Sequence, residues 1–429
     1  MKKIVLTASL LWIVLSASLY AQTTADTVKL KLDFPLLDVP YHSDVKNATG
    51  RSFFGTYAYP SMNQSLALTA NLYSGFHFGM KSFKDNTGMN RFLKNGIYYS
   101  GIGLGNYLML FFPLGDLWLH EEYHRAMYAR YGVKTTNPFN GFPFGKTIFP
   151  VGNVTIDDIV RMKAENPADF RRKYSAGIEG QYLLINSLQR NNFFYSQGLT
   201  NEFQYWLSTV NTVAYFAQSA SSKVGGGMLG DMGVWAFDLF NPNVTYAEES
   251  LDLTFSGELR SYLKQERNKH LLNFVSPMLF GFKSIPLGKN GLAGNFAIRH
   301  LLTPFGTTVS TQVFLKKDIY KMAFAYHGNR NYQHYFPAVE AELIDYPFSV
   351  GGCEMYLSPR VIAGTQPKGQ EFLTEKAEFL GLLGLRVDFK ISPNILPYID
   401  FTAKTKGWVA GNEYLNSNAS VKLGLSARF

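Results

Sequence analysis

The sequence predicts an α+β protein, a mostly helical first part followed by an antiparallel β-barrel or β-sheet of about eight strands. Three observations predict it. From about Leu66 to Phe280 the apolar residues recur at helical spacing, and from about Asn290 onward they alternate with polar ones at the period of two that strands require. Between these signals, His120, Glu121 and His124 form an H-E-x-x-H pattern in the run Leu119-His-Glu-Glu-Tyr-His-Arg125. On a helix, residues four apart lie one above the other, so both imidazoles can reach one zinc ion while Glu121 faces an attacking water.

The first element is an export signal. Lys2 and Lys3 open the chain, a mostly apolar run follows from Ile4 to Leu15, and Ser18 and Ala21 are small residues ahead of Gln22. This is the three-part pattern of a secretory signal peptide, which predicts removal of residues 1–21. The run is too short to span a bilayer comfortably. The single cysteine, Cys353, precludes an intramolecular disulfide, so an exported protein of this size depends on its core.

Composition narrows the class of function. The formal charge of +9 falls to +7 when Lys2 and Lys3 leave with the signal, since no acid lies among those residues. The Lys and Arg are scattered, and no basic block stands beside a binding module, which argues against nucleic acid as a partner. Tyr and Phe are abundant, as in the aromatic girdles of membrane proteins.

Residues 22–285 form the helical region. Thr155 ahead of Asp157 and Asp158, and Asn166 followed by Pro167, are helix starts. The stretch from Ile97 to Leu119 reads as one long apolar helix, buried and kinked at Pro113, with a membrane span as the rival reading. Gly101 and Gly105, four apart, would let a neighbouring helix approach closely. Trp118 to Gly132 is the helix that carries the histidines. Leu117, His120, His124, Met127 and Tyr131 share one face, and Gly132 is placed to end it.

This stretch resembles the active-site helix of the zincin metallopeptidases, in which an apolar residue precedes the first His, as Leu119 does. The chain departs from the family's usual pattern at Glu122 and Arg125, where uncharged residues are normal. The resemblance implies His120 and His124 as zinc ligands, Glu121 as general base and a third protein ligand on a later helix. In the gluzincin branch that ligand is a glutamate, and Glu179 in Tyr174-Ser-Ala-Gly-Ile-Glu-Gly-Gln181 is the candidate; Glu248 and Glu249 are rivals. Ala176, Gly177 and Gly180 would let this helix lie tightly against the first. Ligating histidines usually donate their other ring N–H to a neighbouring acceptor. Asp231 and Asp238, seven apart, are candidates for that support, and Asp231 is equally suited to capping a helix.

Residues 286–429 form the β region. Val309, Thr311, Val313 and Leu315 alternate with polar neighbours, as do Tyr320, Met322, Phe324 and Tyr326, and Leu385, Val387, Phe389 and Ile391. Each is a strand with one oily face. The clearest is the last, where Val421, Leu423, Leu425, Ala427 and Phe429 alternate against Ser420, Lys422, Gly424, Ser426 and Arg428. This resembles the terminal strand of outer-membrane β-barrel proteins, whose final aromatic residue is read by the barrel assembly machinery. The resemblance implies outer-membrane lipid as a partner; a periplasmic sheet with one buried face would give the same alternation.

The combined expectation is a zinc-dependent metallopeptidase of the bacterial cell envelope, acting on a peptide or protein substrate with Zn2+ as cofactor. The alternatives are a non-catalytic outer-membrane barrel or transport protein with a structural or vestigial metal site, and a soluble periplasmic hydrolase.

Overall fold

The computed structural model describes residues 28–141, 151–195, 200–221, 230–244 and 256–429. The signal segment and the rival ligands Glu248 and Glu249 lie outside them. The helices are α1 (Tyr41–Thr49), α2 (Met62–Asn86), α3 (Arg91–Met109), α4 (Asp116–Ala129), α5 (Ile156–Glu165), α6 (Pro167–Phe194), α7 (Thr200–Ser221), α8 (Asp231–Phe240) and α9 (Gly257–His270). The strands are β1 (Lys31–Val39), β2 (Ile285–Pro286), β3 (Ala293–Thr303), β4 (Gly306–Lys317), β5 (Tyr320–Arg330), β6 (Tyr335–Leu343), β7 (Tyr346–Val350), β8 (Cys353–Pro367), β9 (Ala377–Phe389), β10 (Ile395–Lys404) and β11 (Asn418–Arg428).

The expected helix starts are built as read. Thr155 and Asp158 close a reciprocal capping box on α5, and Pro167 opens α6. The stretch from Ile97 to Leu119 is two helices, not one. α3 stops at Met109, Leu114 takes a left-handed φ of 66°, and α4 begins at Asp116, so Pro113 lies in the connection rather than at a kink. Gly101 and Gly105 do admit a neighbour, because Met80 and Phe76 of α2 occupy the space their side chains would fill. No helix among the described residues is long and apolar enough to cross a membrane.

All the strands join one antiparallel sheet in the order β1-β11-β10-β9-β8-β6-β5-β4-β3-β2, with β7 paired to β8. The sheet is open, which corrects the closed-barrel alternative, and it holds more strands than the eight expected. Its edges are β1 and β2. Between them run helices: α2 lies on β1, α3 packs on α2 and α7, and α7 meets the turns that pack on β3. β1 lies far upstream, in the helical region of the sequence, yet it pairs along its length with β11, from Lys31 opposite Arg428 to Val39 opposite Val421.

The two faces of the sheet are polarised in the reverse of a soluble sandwich. One outer row runs Leu385, Phe401, Val421 in direct register; another runs Val387, Ile399, Leu423. Phe401, Val421, Ile399 and Leu423 are all exposed. The rows between them carry ions, with Asp400 opposite both Arg386 and Lys422, and Glu342 opposite Arg360. These ionic rows face α6. Arg190 of α6 pairs with Glu342 of β6 at 2.7 Å, Lys316 of β4 donates to the Phe193 carbonyl at 2.6 Å, and Lys31 of β1 reaches the Tyr195 hydroxyl at 3.4 Å. Three separated strands meet the end of one helix, so the sheet curls around α6.

Candidate metal centre

Gly115 caps the start of α4, and every residue of the helix except Leu117 is buried. α6 crosses it at two glycines. A Cβ on Gly177 would lie 2.5 Å from Nε2 of both His120 and His124, and one on Gly180 would lie 2.8 Å from the Tyr123 ring. The small residues expected to bring this helix close are therefore where the two backbones approach. Glu122 and Arg125, the charged residues unusual for a zincin helix, form a buried ion pair at 2.5 Å. Asn137 donates to Glu122 at 2.9 Å and Arg125 to the Pro60 carbonyl at 2.7 Å, so the pair ties α4 to two flanking segments.

The histidines are held from behind. Nδ1 of His124 is 2.5 Å from the Lys173 carbonyl, an obligate acceptor, so this nitrogen carries the proton. Nδ1 of His120 is 3.2 Å from the Gln181 amide oxygen, and the Gln181 amide nitrogen donates to Asp116 at 3.2 Å. Ser208 donates to the other Asp116 oxygen at 2.8 Å. Both Nδ1 protons are thus committed, and both Nε2 lone pairs point at one place, 3.1 Å apart. Oδ2 of Asp231 completes the triangle at 3.4 Å from His120 and 3.3 Å from His124. Tyr215 donates to that same oxygen at 2.7 Å.

The triangle has the size a zinc ion requires. With bonds of about 2.0–2.1 Å, two ligand atoms of a tetrahedral shell stand roughly 3.3–3.4 Å apart. His120, His124 and Asp231 form the one set of three potential ligands that converges among the described residues. The donor set, two nitrogens and one carboxylate oxygen, is one that a single metal ion can share.

The structure places the remaining candidates as follows. Asp231, expected behind the ligands or at a cap, stands beside the two imidazoles as the third donor, at the first position of α8. Glu179 does not join them. It lies two residues beyond Gly177, about 200° round α6, so it points away from the two imidazoles. Its carboxylate accepts from Arg172 at 2.9 Å, Trp408 Nε1 at 3.1 Å and the Gly411 N–H at 2.7 Å, which anchors the loop before β11. Asp238 does not support a histidine either; it pairs with Lys163 at 2.6 Å and Arg171 at 3.5 Å. Glu121 is buried beside the site, and burial pushes its carboxyl up to about 7 against the pull of His120.

The site is enclosed but not sealed. His120 and His124 are each 6% exposed, whereas the Asp231 side chain is 24% exposed, so approach is from the Asp231 side. Sequence reasoning missed Gln181 and Tyr215. Gln181 lies inside the segment already singled out around Glu179, whereas nothing near Tyr215 in the sequence marks it.

No family model matches the chain, and no curated protein or solved structure matches it either.

Proposed function

We propose that the chain is a zinc-dependent hydrolase, a metallopeptidase of the cell envelope, with His120, His124 and Asp231 as ligands and Glu121 as general base. The observation that carries this reading is the pair of Nε2 atoms, turned toward each other and toward the Asp231 carboxylate by Nδ1 bonds. A zinc ion held by His120, His124 and Asp231 would supply a Lewis acid that polarises a carbonyl and lowers the pKa of a water. Glu121, adjacent to His120 and on the buried side of α4, takes the proton of the attacking water and delivers it to the leaving amine. A carboxyl shifted toward neutrality is suited to both halves of that transfer. Tyr215 and Gln181 hold Asp231 and His120 in place, so neither imidazole nor carboxylate has to reorganise when substrate arrives.

The outward apolar rows of the sheet support a membrane location, since a sheet that turns ions inward and Leu, Val and Phe outward has the polarity of outer-membrane proteins. The β1 edge is covered by α2, whose Asn71 bonds the Asp33 backbone, as unpaired strand edges must be in lipid.

The test is metal content by mass spectrometry on wild type, Glu121→Gln, His124→Ala and Asp231→Ala, followed by a peptide-library digest. One zinc per chain is expected in wild type and Glu121→Gln, none in the other two, and cleavage only in wild type. Zinc retained without any cleavage favours the structural-site alternative. A folded wild type that takes up no zinc ends the metallopeptidase reading.

A further inference from the structure

α6 presents opposite sides to two different places. Gly177, Gly180 and Gln181 face the metal helix, while Tyr182, Leu183, Asn186, Ser187 and Arg190 line a cavity of about 280 Å³ between α6 and the inner face of the sheet. The cavity wall contains a buried cation with no counter-ion. Arg299 of β3 is 2% exposed, and none of its hydrogen bonds among the described residues goes to a carboxylate. Its Nη2 donates to the Gln189 amide oxygen, its Nη1 is 3.5 Å from the carbonyls of Asn273 and Ile298, and its Nε has no partner.

The other charges of the wall are already matched. Glu340 accepts from Arg360 at 2.7 Å and lies 3.0 Å from His327, and Arg190 is paired with Glu342. Arg299 alone carries net charge into the space, because a guanidinium stays protonated in proteins. Beside it lie polar groups with nothing to bond. Ser310 sits directly across the strand pair from Arg299, and the Ser310 and Thr308 hydroxyls, the Gln312 amide oxygen and the Asn186 amide oxygen are all without partners. A buried unmatched guanidinium is destabilising unless an anion compensates it, and each unmet hydroxyl or amide adds a smaller cost. Grouping them in one cavity wall concentrates these costs where a ligand can remove them.

We propose that this cavity binds a small organic acid, with its carboxylate against Arg299 and its hydroxyl or amide groups against Thr308, Ser310 and Gln312. The site is separate from the metal centre and stands whether or not the hydrolase reading holds. A cavity of this size takes a ligand of metabolite dimensions, not a folded polypeptide.

The test is isothermal titration of the purified protein with acetate, lactate and succinate, at constant ionic strength. Wild type binds at least one of them. Arg299→Gln weakens that binding by about tenfold or more, the loss of a charge-assisted hydrogen bond, and Arg299→Lys retains part of it. Ser310→Leu, which fills the cavity without touching the charge, removes binding and serves if Arg299→Gln fails to fold. Zinc content is unchanged in all three variants. Binding equal to wild type in both Arg299→Gln and Ser310→Leu would place the acid elsewhere and overturn the proposal, as would the absence of binding of all three acids to wild type.

Discussion

Gly177 has no side chain, and the close approach of α6 to the two imidazoles depends on that. A methyl group there would sit 2.5 Å from both Nε2 atoms, in the space the ion would share with them. Gly177→Ala is expected to lower zinc affinity by tenfold or more while costing roughly 1–3 kcal/mol of stability; zinc titration read beside thermal unfolding separates the two effects. A second residue sets a pH dependence. Glu413 is buried, accepts the Met62 N–H at 2.6 Å, and is pushed up to about 7 by burial and by the nearby Asp38. A carboxyl with a raised folded-state pKa stabilises the fold fully below its unfolded value near 4.5, and that stability is lost as pH rises through about 7. Wild type should therefore lose up to about 3 kcal/mol relative to Glu413→Gln between pH 4.5 and 8. Parallel pH profiles for the two proteins would refute this.

At the scale of elements, contacts between helices depend on small residues. Gly105 lies under the Phe76 ring, where an added Cβ would be 2.3 Å from the ring edge. Gly105→Leu is expected to push α3 off α2 and to destabilise by about 1–3 kcal/mol, seen as a lower unfolding midpoint with the zinc content intact. The same scale shows what was legible beforehand. The metal-bearing helix could be read because His120, His124 and Gly132 carry local signals of spacing and termination. The late strands could be read because each alternates without interruption. Asp231 could not be picked as a ligand, because its approach to His120 depends on where α8 lands after more than a hundred intervening residues. Glu179 attracted the reading through its small neighbours; the neighbours do touch α4, and helical rotation turns the glutamate from the imidazoles to Arg172, Trp408 and Gly411. β1 was invisible for a local reason. Pro35 and the register shift between Pro35 and Leu37 break its alternation, and it lies among helical residues.

For the whole molecule, the reversed polarity of the sheet is the governing feature. Leu383 is 64% exposed and Leu423 39%, whereas Arg386 and Asp388, which alternate with the apolar residues of β9, are turned inward and paired. If lipid covers the outer rows, the wild-type protein floats with vesicles of dilauroyl phosphatidylcholine in a density gradient. Leu383→Lys and Leu423→Lys together should abolish flotation, since a lysine facing lipid near midplane costs about 2–4 kcal/mol. Wild type that stays folded, dispersed and vesicle-free without detergent would exclude a bilayer partner.

The pairing of β1 with β11 also bears on how the fold is reached. Phe34 lies opposite Leu425 and Asp33 opposite Ser426, across almost the entire described chain. Such contacts impose the largest loop-closure entropy the molecule has to overcome, and they form only after nearly everything between them is in place. β1 must therefore wait, with its apolar Leu32, Phe34 and Leu37 unsheltered, until β11 is available. In a pulse-labelled refolding experiment its amides should be among the last to gain protection, and the interval before they do is when the chain is most exposed to aggregation.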